Sequence, residues 1–241
     1  MLYVKPESLE ILATNLDDTN KNNLIDDNPF TQAVADNEIN ITLKITAQDW
    51  ISFINIEAVE IQMTLKDTQG NIVKTYDIQL DDSLIFDIWG YFYNPLDFKH
   101  KHTQPLFLIP EGTLDIKIIN SNKQAKIGAI VLGRGIDIGV NEYKASVGIR
   151  DYTSYSYDSA NNTIVKNVKK TSNIYRTKVY VEPARISALE RRFEKLRQQQ
   201  ILWIGSRNDE AKILFGFFKA FEPLYTQNGK AVYTLELEGV S

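Results

Sequence analysis

The chain has 241 residues, 43% of them hydrophobic and 24% charged, with a net charge of −4; that is enough apolar material for real cores and argues against wholesale disorder. A pI near 5.3 supplies no basic footprint, so nucleic-acid binding is not expected. Cysteine is lacking, which removes disulfides, thiolate nucleophiles and Cys-based zinc sites together and suits assembly in a reducing cytoplasm. The opening Met1-Leu2-Tyr3-Val4-Lys5-Pro6-Glu7 has neither the charged start nor the apolar run of a signal peptide. No apolar stretch approaches the roughly 20 residues that cross a bilayer, so synthesis in the cytoplasm without membrane insertion is expected.

In chain order, residues 13–38 are polar and acidic, with Asp17-Asp18, Asn22-Asn23 and Asp26-Asp27-Asn28-Pro29 as turn formers. The period then changes to two. Ile39, Ile41, Leu43 and Ile45 alternate with polar residues, and Val59, Ile61, Met63 and Leu65 repeat the pattern, so each segment predicts a half-buried strand. Asp67-Thr68-Gln69-Gly70-Asn71 is a turn into a returning strand through Val73 and Tyr76 to Leu80, a hairpin. The aromatic segment from Trp89 to Tyr93 is expected to plug the end of a sandwich, with ligand binding as its alternative. Leu114, Ile116 and Ile118 alternate, and an apolar run follows over 127–132. Short strands joined by polar turns, with no helical pattern between them, predict a β-sandwich domain over 1–133.

The second half reads differently. Gly133-Arg134-Gly135 and Gly139 mark a junction, and Ala145, Val147 and Ile149 predict a strand. A tyrosine-rich polar excursion follows over 151–162, then a β-prone stretch over 174–181. Pro183 suits the first turn of a helix expected over about 183–199. Ile186, Leu189, Phe193 and Leu196 form one apolar stripe on it, with Arg191, Arg192, Lys195 and Arg197 toward its C-terminal end. Strands over 201–204, 213–221 and 231–237 complete an α+β sheet or barrel domain over 134–241 with that one amphipathic helix. The fold class expected for the whole is mainly β.

Catalytic patterns fail one by one. His100 and His102 are the only histidines, and the flanking Lys99 and Lys101 oppose a cation, so a solvated loop is expected there and no Ser-His-Asp triad. Asp18-Thr19-Asn20-Lys21-Asn22 resembles the start of an EF-hand loop, but Asn23 stands where the glycine belongs and Pro29 where the glutamate does; a looser calcium site in this acidic stretch stays open. Gly133-x-Gly135 with Gly139 lacks the dinucleotide-loop spacing, and no carboxylate pair is legible for a glycosidase. No catalytic residue, bound metal or cofactor is therefore predicted, and an enzyme is not expected. Tyr152, Tyr155 and Tyr157, in a Ser/Asn/Asp-rich segment, are candidates for an interface or for sugar stacking, against an ordinary hairpin with half-buried rings. Arg191, Arg192 and Lys195 form a second candidate patch, against a solvated helix surface.

Two resemblances bear on function. Asn23-Leu24-Ile25-Asp26-Asp27-Asn28-Pro29-Phe30-Thr31-Gln32, followed by Ile39-Asn40-Ile41-Thr42-Leu43, resembles the opening of galactose-binding-like jelly rolls. That resemblance implies a sandwich that often binds carbohydrate and sometimes a structural calcium. Ile130-Val131-Leu132-Gly133-Arg134-Gly135 and Tyr143-x-Ala145-Ser146-Val147-Gly148-Ile149-x-Asp151-Tyr152 resemble a family of virion proteins of tailed phages and prophages. Similar stretches are Trp203-Ile204-Gly205-Ser206, Phe215-Gly216-Phe217-Phe218-Lys219-Ala220-Phe221 and Leu235-Glu236-Leu237-Glu238-Gly239. The helix-then-sheet ending resembles the tail-tube-type domain of tail hubs and distal tail proteins. The resemblance implies a structural tail component, a hub, distal-tail or adaptor protein, located in the virion and joined to other tail proteins as a homo-oligomer or ring. The alternative is a carbohydrate-binding module that engages a host glycan.

Overall fold

The computed structural model describes residues 1–26, 28–82, 97–142, 144–158, 163–167, 171–225 and 231–240. The chain is mainly β, built from curled antiparallel sheets. It divides into an N-terminal unit of Tyr3–Ile136 with Ser206–Ile213, and a C-terminal unit of Met1–Leu2, Asp137–Gly205 and Leu214–Ser241. Where the sequence suggests one junction at 133/134, the two units exchange a short segment in each direction. Strand β1 (Leu2–Val4) lies at the first of these crossings.

The N-terminal unit holds β2 (Ile11–Thr14), α1 (Asp18–Ile25), β3 (Ala33–Ile45), β4 (Trp50–Glu57), β5 (Glu60–Asp67), β6 (Ile72–Gln79), β7 (Lys101–Pro105) and β8 (Gly112–Gly133). The sheet order is β2-β3-β8-β4-β7, with β5 on β8 and β6 on β5. Strand β8 organises it. Its first half lies between β3 and β5, so Ile41, Ile116 and Met63 stand in one row across the sheet, and Leu43, Leu114 and Leu65 in the next. Its second half keeps β3 as far as Ile127 and takes β4 in place of β5, from Glu57↔Lys126 to Trp50↔Gly133. The change of partner coincides with a break in register opposite Asn37, whose φ is 63°, and with Asn120 Nδ2 donating to the Gln124 carbonyl at 2.8 Å. Irregularities of this kind bend a strand. The sheet curls over one core that includes Ile39, Leu43, Phe53, Ile61, Leu65, Ile118 and Leu132.

The predicted hairpin is present. Asp67 Oδ1 accepts from the Gln69 and Asn71 amides at 2.9 Å each, and Gly70 takes φ 83°, which a glycine adopts without steric cost. The polar stretch over 13–38 departs from expectation, because α1 occupies its middle. Asp17 caps this helix by accepting from the Asn20 amide at 2.7 Å, and Leu24 is its one buried residue. The EF-hand-like residues are therefore helical and not a loop. Beyond α1, Thr31 Oγ1 donates to Asp26 Oδ2 at 2.6 Å, closing the turn. Residues 89–93, expected to plug the unit, lie outside the described residues.

Strand β9 (Gly135–Asp137) lies where the chain passes from one unit to the other, and the C-terminal unit then holds β10 (Val140–Asn141), β11 (Ser146–Asp151), β12 (Ser154–Asp158), β13 (Thr163–Asn167), β14 (Thr171–Val181), α2 (Pro183–Lys195), β15 (Ile201–Ile204), β16 (Ile213–Tyr225) and β17 (Ala231–Gly239). Neighbours in the main sheet follow the order β10-β14-β17-β16-β15, and β11 also pairs with β14. The apolar stripe of α2 is buried at Ile186, Leu189 and Phe193. Phe193 stacks on Phe221 at 4.5 Å and meets Phe218 edge-on at 5.3 Å. Two rings three residues apart on a regular strand would face opposite ways; a register shift between Phe218 and Ala220 turns both toward the helix.

Candidate functional site

The C-terminal sheet has one face on the aromatic core and one face dressed with charge. On β17, Leu235 and Leu237 are buried while Glu236 and Glu238 belong to the other face. Glu238 is only 8% exposed and gathers donors from three neighbouring strands and one loop. Ser172 Oγ of β14 donates at 2.9 Å. Lys219 Nζ, of the residue at the β16 irregularity, lies 3.0 Å away, and Arg150 of β11 lies at 3.7 Å. The Tyr152 hydroxyl also donates to Glu238 Oε1. Burial pushes this carboxyl upward, but the hydrogen bonds from Tyr152, Lys219 and Ser172 outweigh it and hold the group below the usual glutamate range. Glu236 is held low in the same way by Arg176, whose Nε lies 2.9 Å from it.

This network clamps β11 and the start of the tyrosine segment onto the sheet. Among the described residues it leaves the outer edge of β11 bare. Strand β11 pairs with β14 from Ser146↔Arg176 to Asp151↔Thr171, and no described strand covers its other side. Val147 and Ile149 are 46% and 75% exposed, although their side of the sheet is the one on which Tyr175 is buried. Immediately after it, β12 and β13 form a two-stranded sheet of their own. Tyr155 and Tyr157 lie on one face of that hairpin and are 66% and 64% exposed; residues 159–162 are outside the described residues.

The candidate tyrosines thus separate into two kinds. Tyr152 is drawn into the Glu238 network, whereas Tyr155 and Tyr157 present their rings to solvent and are not the half-buried pair of an ordinary hairpin. Arg191, Arg192 and Lys195 are exposed on the outer face of α2. They alternate there with the exposed Glu190 and Glu194, so the patch is mixed in sign. The bare β11 edge is the feature that sequence pattern missed, since Val147 and Ile149 read as core residues of a strand. Nothing local signals that the strand is at an edge.

The histidine segment of the N-terminal unit is not the solvated loop expected. It enters β7, where Lys101 and Thr103 are buried. The His100 amide donates to Glu210 Oε2 at 3.2 Å, a carboxylate supplied by the 206–213 segment. Burial lowers the basicity of Lys101 and His102 and raises the Glu210 carboxyl. Among the described residues no group of three His, Asp or Glu side chains is arranged to hold a metal ion, and no helix is long and apolar enough to cross a membrane. No protein-family model matches the chain, and no curated protein matches it.

Proposed function

We propose that the protein is an assembly component of a tailed-phage virion, a hub, distal-tail or adaptor protein of the tail, that works by burying surface against other tail proteins and further copies of itself. The observation that carries the assembly role is the β11 edge that no described strand covers, followed in the chain by the β12–β13 hairpin with its exposed Tyr155 and Tyr157. An open strand edge presents unpaired backbone donors and acceptors that another chain can complete. A two-stranded hairpin outside a larger sheet is marginal in water on its own, and exposed tyrosines are enriched where proteins meet. The phage setting is supported by the sequence resemblance over 130–135, 143–152, 203–206, 215–221 and 235–239.

Immunogold labelling of tailed-phage particles that encode this chain tests the proposal. Gold at one reproducible place on the tail is the expected outcome. Particles that never label, while free protein abounds in the lysate, overturn it; glycan-array binding by the free protein then favours the carbohydrate-binding module.

A further inference from the structure

We infer that two copies of this chain join through β11 itself, the two strands pairing antiparallel, edge to edge, with Gly148 on a two-fold axis. This rests on the assembly role of the same edge proposed above, and adds to it the partner and the register. Exposed edges are usually blunted by lysine, proline or inward charge. The sequence Ser146-Val147-Gly148-Ile149-Arg150-Asp151 contains neither lysine nor proline. Its one cation is turned onto the sheet face, where Arg150 lies 3.7 Å from both Glu236 and Glu238. The open strand β6 of the N-terminal unit, in contrast, carries Lys74 and Asp77.

The strand is self-complementary in one register only. Antiparallel pairing about a two-fold axis sets each residue opposite one of its own face, so a residue sits on the axis; Arg150 there would oppose two like charges, which leaves Val147, Gly148 or Ile149. With Gly148 there, Val147 of each copy faces Ile149 of the other, which covers all four exposed aliphatic side chains, and Ser146 faces Arg150. With Ile149 on the axis, each Val147 is set against the charged Asp151. With Val147 on the axis, the overlap shrinks to residues 146–148 and both Ile149 side chains stay bare. A Cβ at Gly148 would meet nothing within 4 Å, so a side chain can be introduced there without a clash.

The chain has no cysteine, so engineered thiols report register cleanly. Directly opposed residues of antiparallel strands have Cα atoms about 4.5–5.5 Å apart, within the reach of a disulfide. Under mild oxidation, Gly148→Cys is expected to form a covalent dimer by itself. Val147→Cys and Ile149→Cys are expected to cross-link when mixed and to stay monomeric alone. Dimers from either of the last two alone, or none from any of the three, overturn the proposal. Sedimentation of the unmodified full chain gives a second readout: concentration-dependent dimer is expected, weakened at least about tenfold by Ile149→Lys, which places charge at the apolar pair. A wild-type chain that remains monomeric at all concentrations overturns the proposal as well. Particle labelling that succeeds while these assays fail leaves the virion role standing without this contact; dimers from a chain that labels no particle do the reverse.

Discussion

A glutamate as enclosed as Glu238 is stable only with charge-assisted partners, and it has them from β11, β14, β16 and Tyr152. Its folded-state acidity is therefore greater than that of an unfolded glutamate, with the ordinary value near 4.5. A carboxyl held low in the folded state contributes stability that is present above its unfolded pKa. That contribution drains away as pH falls through the folded value. Glu238→Gln removes the titration, leaves Lys219 without this carboxylate and leaves Arg150 with Glu236 alone. Urea unfolding of both proteins across pH is expected to show the wild type more stable by a constant margin at about pH 6 to 8. The margin should narrow progressively below pH 4.5. A margin that stays the same down to pH 3 rules out ionised Glu238 as the source of the clamp.

Helix α2 buries Ile186, Leu189 and Phe193, and Phe193 is the ring among them. Phe193 touches Trp203 at 5.9 Å, Phe218 at 5.3 Å, Phe221 at 4.5 Å and Tyr233 at 6.2 Å. Phe193→Ala empties the middle of that cluster and is expected to cost about 3–5 kcal/mol in chemical denaturation. A loss under 1 kcal/mol would mean that the helix is anchored elsewhere. Helix α2 was legible because its apolar residues repeat at helical spacing, β3 and β5 because theirs alternate, and β6 because it returns from the Asp67-Thr68-Gln69-Gly70-Asn71 turn. Helix α1 was not, since it buries only Leu24 and depends on the Asp17 cap, a signal shared with turns. The continuity of β8 was hidden by Asn120-Ser121-Asn122-Lys123, which looks like a loop and is a bend within one strand. The Glu238 network was illegible for another reason: Arg150, Ser172, Lys219 and Glu238 are brought together by strand register, which no local pattern encodes.

At the scale of the molecule, each compact unit borrows a piece of chain from the far side of the sequence. A fragment ending at Ile136 lacks Ser206–Ile213, and with it the Glu210 acceptor of the His100 amide. It also leaves Lys101 without the nearby Glu210 charge. Fragment 3–136 is expected to unfold at lower urea concentration than the same residues within the full chain, followed by hydrogen exchange at β7. Mixing in a 206–213 peptide should restore part of the difference. Equal protection with and without the segment would show that it contributes nothing to the unit. The same exchange of segments sets a timetable during synthesis. At about 5–20 residues per second the ribosome needs roughly 4–15 s to travel from Ile136 to Ile213. For that interval the nascent N-terminal unit waits with a place unfilled. The segment arrives only after β10 to β15 have been made and before β16 and β17, so the N-terminal unit receives its last piece while the C-terminal sheet is still incomplete.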